Sequence, residues 1–200
     1  MPSTEHGRIL LPIARTAIAQ ALGQTAAPTP PSTATSWLQA PGASFVTLTQ
    51  QGRLRGCIGT LEAHRPLHQD VAANAVAAAL RDPRFAPLQA RELAQTDIEI
   101  SLLSVRQTLA FRSEAEALAQ LRPGVDGVVF EFGRFRSTFL PQVWAQLPDA
   151  AGFMAHLKQK AGLPADFWSA QVRLERYTVT QWKETDLQPT PDGPPAMEVA

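Results

Sequence analysis

The sequence predicts an α+β fold, a largely antiparallel sheet flanked by helices, arranged as one domain or as two closely packed lobes. Three observations predict it. Strand-like segments come in pairs joined by tight glycine-bearing turns, at Gln51-Gly52 and around Gly133, which is the mark of antiparallel hairpins. Helical periodicities occur between these pairs, yet the regular strand–helix–strand alternation of a parallel sheet is missing. A chain of 200 residues with 44% hydrophobic content is long enough and apolar enough to bury a substantial core.

The elements follow in chain order. Ile9, Leu10, Ile13, Ala14, Ala17, Ile18, Ala21 and Leu22 recur at helical spacing, with Gly23 placed to stop the helix. Pro12 lacks an amide hydrogen and is expected within the first turn. Thr25 to Ser36 is dense in Pro, Thr, Ala and Ser, offers little apolar surface against ordering entropy, and is expected as an exposed connector. Phe45 to Gln50 and Arg53 to Thr60 form a hairpin in which Gly52 takes a positive φ. Pro66 opens an Ala-rich helix to about Leu80, and Asp82-Pro83 ends it, because the residue before proline avoids helical geometry. Ile98 to Ser104 alternates as a strand. Ser113 and Glu116 have the spacing of a capping box for a helix reaching Leu121. Val128 to Phe132 and Phe135 to Leu140 make the second hairpin, followed by helices near Gln142 to Leu147 and Asp149 to Ala161. Arg173 to Trp182 is the last predicted strand. The folded domain is expected over residues 1–186, with 187–200 a disordered Pro-rich tail. Trp144, Phe153, Leu157 and Trp168 read as packing residues.

Composition narrows the function. Lys plus Arg number 18 and Asp plus Glu 18, so no bulk positive field exists to hold a polyanion, and nucleic-acid binding is disfavoured. Cys57 is the single cysteine, which precludes an intrachain disulfide and a cysteine-based zinc cage and suits a reducing compartment. The apolar run Ile9 to Ala14 contains Pro12 and is too short to span a membrane; the expectation is a soluble, cytoplasmic protein with no membrane partner. His64 and His68 stand four apart, but Pro66 between them starts the helix and leaves His64 outside it. No metal and no cofactor is therefore expected. Gly124 to Gly127 lacks the spacing of a phosphate loop and reads as a turn.

The most unusual segment is Leu54-Arg55-Gly56-Cys57-Ile58-Gly59-Thr60. Alternation along a strand projects Arg53, Arg55 and Cys57 to one face and Leu54, Gly56 and Ile58 to the other, the apolar and therefore core side. Arginines beside Cys57 would favour the thiolate that nucleophilic or redox chemistry requires. In the strand at Ile98, Glu99 and Ser101 share the less apolar face, and pairing of the two strands would set Glu99 across from Arg55. Gly56 and Gly59 would let a ligand or a second backbone approach closely. The competing reading makes Cys57 a packed small side chain, with the glycines serving a bulge and Arg55–Glu99 a structural ion pair. No histidine is placed as a base for Cys57.

This heptapeptide resembles the signature of the AMMECR1 domain. Asp82-Pro83-Arg84-Phe85, Ile98-Glu99-Ile100-Ser101, Gly124-Val125-Asp126-Gly127, Phe139-Leu140-Pro141-Gln142-Val143 and Lys160-Ala161-Gly162-Leu163-Pro164 resemble the family's further blocks, in order, from about Ile9 to Trp182. Arg136-Ser137 departs from the pattern, since many relatives carry a glycine there. The resemblance implies a fold and a functional surface without implying a reaction. Bacterial relatives are protein A of the AmmeMemoRadiSam system, whose genes neighbour a Memo-like protein and a radical SAM protein, so those two are the partners it implies. Three functions follow as expectations. In the first, the chain binds a small molecule, peptide or modified substrate, with or without catalysis by Cys57, through Arg55, Gly56, Gly59, Arg84, Glu99 and Ser101, and this needs a concave pocket. In the second it is a non-enzymatic adaptor with a flat apolar patch and an inert thiol. RNA binding comes third and needs converging arginines with exposed aromatics.

Overall fold

The structure, a computed structural model, describes residues 4–24 and 35–187. The expected connector lies outside the described residues except for Thr35 and Ser36, and so does the expected tail beyond Leu187. In chain order the elements are α1 (Thr4–Ala21), α2 (Ser36–Gln39), β1 (Ser44–Gln50), β2 (Arg53–Gly59), α3 (Leu67–Leu80), a 3-10 helix at Ala90–Gln95, β3 (Asp97–Leu103), β4 (Gln107–Thr108), α4 (Glu114–Ala119), β5 (Gly127–Phe132), β6 (Phe135–Phe139), a second 3-10 helix at Pro141–Ala145, α5 (Ala150–Lys160), β7 (Arg173–Tyr177), β8 (Val179–Lys183) and α6 (Glu184–Leu187). Among the described residues the strands form two four-stranded sheets, ordered β2-β1-β3-β8 and β4-β7-β5-β6. The α+β class is as the sequence predicts. The chain divides into two compact units, the first running through Leu102 and resuming at Gln181, the second spanning Leu103–Thr180. None of the described helices is long and apolar enough to cross a membrane.

In the first unit, Leu10, Ala14 and Ile18 of α1 and Val71, Ala75 and Ala78 of α3 pack with Val46 and Leu48 of β1 and Ile98 and Ile100 of β3. Burial of these apolar faces is what holds the helices to the sheet. Helix α1 starts at Thr4, so Pro12 stands in its interior and not in its first turn. Pro12 is exposed while Leu10, Leu11, Ile13 and Ala14 around it are buried; packing on both sides of the proline outweighs the one lost backbone bond. Gly23, at φ 74°, closes α1 with the paired bonds Gln24 N to Ala19 O and Gly23 N to Gln20 O, a Schellman ending. The ends of β1 and β2 are tied to α3 through the buried carboxylate of Asp70. It accepts from Ser44 N at 2.9 Å, Ser44 Oγ at 2.7 Å, Thr60 Oγ1 at 2.7 Å, Arg65 Nε at 2.9 Å and Asn74 Nδ2 at 3.0 Å, so a charge without solvent is fully hydrogen-bonded.

The second unit is built on Val128, Phe130, Trp144, Phe153, Met154, Leu157 and Leu174, with Trp168 packed partly buried against them. Trp144 and Phe153 stack with centroids 3.8 Å apart, and the indole of Trp144 donates to Asp126 O at 2.7 Å, so its polar end is satisfied inside the core. The expected helix at Gln142 to Leu147 is a 3-10 helix over Pro141–Ala145. Ser113 caps α4 by accepting from Glu116 N at 3.2 Å, but the Glu116 carboxylate reaches back to Arg112 N at 2.8 Å, so only half of the predicted capping box forms. The departure at Arg136-Ser137 has its own solution. The buried Ser137 hydroxyl donates to Leu157 O at 2.6 Å in α5, and Arg136 pairs with Glu131 at 2.7 Å on the neighbouring strand. The predicted strand Arg173 to Trp182 is two strands, β7 and β8, lying in different sheets. Its irregular alternation has that cause, because Leu174 and Trp182 belong to different cores.

Candidate functional site

The Leu54–Thr60 motif lies on β2, an edge strand hydrogen-bonded to β1. Thr47 of β1 is in register with Cys57 on one side and with Glu99 of β3 on the other. The expected cross-strand pair of Arg55 with Glu99 is therefore not made, since a whole strand separates them. Sequence periodicity gives the face a residue occupies but not the order of strands. Leu48 pairs with Gly56 while Thr49 pairs with Leu54, so Arg55 is the extra residue of a β-bulge, and the strict alternation assumed for the strand breaks there. Leu54, placed by alternation on the core side, is instead 44% exposed.

Arg55 turns to the segment before β3. Its Nη1 donates to Ala86 O at 2.8 Å and its Nε to Glu92 Oε1 at 3.3 Å. Glu92 also accepts from Gln89 N at 2.8 Å, and this backbone donor first, with Arg55 and Gln50 beside it, holds its carboxyl below the usual glutamate range. Glu99 pairs with Lys183 at 3.3 Å, and the buried Ser101 hydroxyl accepts from Gln181 Nε2 at 3.1 Å. Gly56 faces the helices: a Cβ there would sit 2.2 Å from the Ala78 carbonyl oxygen of α3. The close approach it permits is that of a second backbone. Gly59 is crossed by the ring of Phe45, its register partner, with an added Cβ 2.2 Å from the Phe45 Cγ.

Cys57 is partly exposed, and its sulfur accepts from Thr47 Oγ1 at 3.3 Å. Its backbone is held from the outside of the sheet. Cys57 N donates to Asp82 Oδ2 at 2.8 Å, and Arg84 Nη2 donates to Cys57 O at 3.3 Å. Arg84 in turn grips Asp82 with Nε at 2.9 Å and Nη2 at 2.7 Å. Through these bonds the buried Asp82 carboxyl is held far below the usual aspartate range, the Arg84 guanidinium first and the backbone donors Cys57 and Arg84 after it. The Asp82-Pro83-Arg84-Phe85 loop thus covers the free edge of β2, which would otherwise offer unpaired backbone groups to another strand.

Beside the bulge is a cavity of about 540 Å³ lined by Gln50, Gln51, Arg53, Leu54, Arg55 and Gln95. Its amides and guanidinium groups can donate and accept hydrogen bonds, and Leu54 adds an apolar contact. Only Arg55 of the residues expected to bind lines it; Arg84, Gly56 and Gly59 shape the strand, and Glu99 and Ser101 pair with β8. Gln50 and Gln51 carried no sequence signal beyond their place at the hairpin turn, and Gln95, distant in sequence, carried none. Asp82 stood within a recognised block, but nothing in the sequence showed that it would reach Cys57. His64 and His68 turn to different backbone carbonyls, of Glu62 and Leu38, and among the described residues no three His, Cys, Asp or Glu side chains are grouped to hold a metal ion.

Fold and motif together define a two-sheet α+β protein with a clamped, bulged edge strand. Residues 11–182 match the family described as AMMECR1, and the chain belongs to the AMMECR1 family. It is 39% identical over 178 residues to a protein of Methanothermobacter thermautotrophicus, across 88% of this chain and 92% of that one. It is 36% identical over 135 residues to Protein MJ0810 of Methanocaldococcus jannaschii, across 66% of this chain and 67% of that one. The crystal structure described as that of uncharacterized protein PH0010 from Pyrococcus horikoshii superposes with a TM-score of 0.76 at 30% identity, covering 90% of this chain and 92% of that one.

Proposed function

We propose that this AMMECR1-family chain is a binding protein whose ligand, a small molecule or peptide, enters the cavity at the start of the Leu54–Thr60 motif. The observation that carries this reading is the coincidence of a concave, polar surface with Arg53, Leu54 and Arg55. Arg53 meets an anionic or strongly accepting group, Gln50, Gln51 and Gln95 fix its orientation, and Leu54 takes an apolar portion. Arg55, committed to Glu92 and Ala86, forms a rigid wall. Cys57, Gly56, Gly59 and Arg84 hold the strand behind the cavity in place, while Glu99 and Ser101 complete the sheet. The adaptor reading calls for a flat apolar patch, and the polar lining of the cavity speaks against it. In the cell this binding serves the cytoplasmic pathway that the family's Memo-like and radical SAM neighbours suggest.

A thermal-shift screen of the chain against metabolite and peptide collections tests the reading. Ligands should raise the melting temperature of the native protein and lose their effect in Arg53→Ala and Gln95→Ala, whose unliganded melts stay unchanged. Ligands that stabilise both variants as well as the parent would place binding elsewhere and sink the proposal.

A further inference from the structure

The second unit holds a separate cleft of about 260 Å³, lined among others by Ser104, Val105, Gln107, Arg122, Arg176 and Thr178. Two guanidinium groups converge there on one carboxylate. Arg122 grips Asp126 with Nε at 3.1 Å and Nη2 at 2.6 Å, and Arg176 Nη1 stands 3.9 Å from the same carboxylate. The Asp126 side chain is wholly buried, while those of Arg122 and Arg176 are 53% and 28% exposed. The remaining arginine nearby, Arg106, is paired with Glu175 at 2.9 Å. One carboxylate facing two guanidinium groups leaves a surplus positive charge on the exposed side. Arg176 spends Nε on Gln107 Oε1 and Nη1 on Gln120 O, which leaves its Nη2 to meet a guest; the Ser104 hydroxyl, in the same lining, is already taken up by Val105 O and Thr178 N. Val105, 88% exposed, adds a large apolar side chain to the cleft lining. An exposed valine beside a charged cleft gives a guest's apolar body a surface to cover.

We propose that this cleft binds a small organic carboxylate carrying a short branched apolar body. A single surplus charge matches a monoanion, and Arg176 Nη2 supplies a charge-assisted hydrogen bond to one carboxylate oxygen. A phosphate dianion would bring a second negative charge towards the buried Asp126 with nothing to balance it. The site is independent of the cavity at the β1–β2 hairpin. Amide chemical shifts of the full chain, titrated with isovalerate, with the neutral isoamyl alcohol and with inorganic phosphate, test the proposal. Isovalerate should move the Ser104, Val105 and Thr178 amides saturably and leave those of Gln50, Gln51 and Gln95 in place; the alcohol should not saturate. Arg176→Gln should weaken isovalerate on the order of ten-fold. Val105→Glu, at a position too exposed to disturb folding, should abolish binding by placing a competing anion in the cleft. No saturable shift with isovalerate, equal binding of the alcohol, a preference for phosphate, or unchanged affinity in Val105→Glu would each overturn the assignment.

Discussion

Cys57 is positioned through its backbone as much as through its thiol. Asp82 and Arg84 take up the outward N–H and C=O of this edge-strand residue. Asp82→Ala leaves Cys57 N without its acceptor and the Arg84 guanidinium with Cys57 O alone, and should cost about 2–3 kcal/mol by urea melts at neutral pH. The folded Asp82 carboxyl is held below its unfolded value of about 3.9. Its contribution is therefore complete above that pH and fades as the solution is acidified through it towards the lower folded value. Urea melts between pH 6 and pH 2, taken as a series of about five steps, should show a smaller acid loss in Asp82→Asn than in the parent. An equal loss in both would assign the acid sensitivity to other carboxylates. The thiol itself accepts from Thr47 and is partly exposed. Cys57→Ser keeps an acceptor for the Thr47 hydroxyl and should cost less than about 1 kcal/mol, with measurable alkylation of the parent before unfolding. A larger cost, with alkylation only on unfolding, would show a core cysteine.

Elements show where strand periodicity reaches its limit. Both hairpins were legible because Gln51-Gly52 and Gly133 announce them, and the turn indeed carries φ 50° at Gln51 and 73° at Gly52. A bulge at the glycines was the competing reading, and the structure has it at Arg55, next to Gly56; its position was not legible, since no residue type marks which strand position lacks a partner. Two glycines of one hairpin should respond differently to the same change. Gly56→Ala forces a methyl to within 2.2 Å of the Ala78 carbonyl, a rigid helix backbone, and should cost more than about 3 kcal/mol. Gly52→Ala meets open space and suffers only its positive φ, so about 1 kcal/mol is expected. Denaturant midpoints of the two variants decide the matter. Similar values would mean that α3 yields easily and that Gly56 is not the point where helix and sheet lock together.

At the scale of the molecule, the first unit is discontinuous, because the chain leaves it after Leu102 and re-enters at Gln181. The returning segment is integral to it. Trp182 packs in the core with Leu10 and Ile98, and Glu184 accepts from Arg15 Nε at 2.6 Å and from Ile98 N at 3.0 Å. A chain ending at Leu187 should melt at the parent's temperature. One ending at Thr180 should lose cooperative unfolding, as followed by circular dichroism. If the chain ending at Leu187 also unfolds, residues past Leu187 belong to the fold.

The main helices and the two hairpins, the α+β class, the helix ends at Gly23 and Asp82-Pro83, and the AMMECR1 motif were determined by the sequence alone, because each rests on local backbone preference or on periodicity within one segment. Strand order, the position of the bulge, the division of the last strand between two sheets, the Asp82 clamp and both cavities were decided only by the tertiary structure. They depend on which distant segments become neighbours: Thr47 between Cys57 and Glu99, Asp82 against Cys57, Arg122 and Arg176 around Asp126. Long-range packing sets those pairings, and no local pattern encodes them.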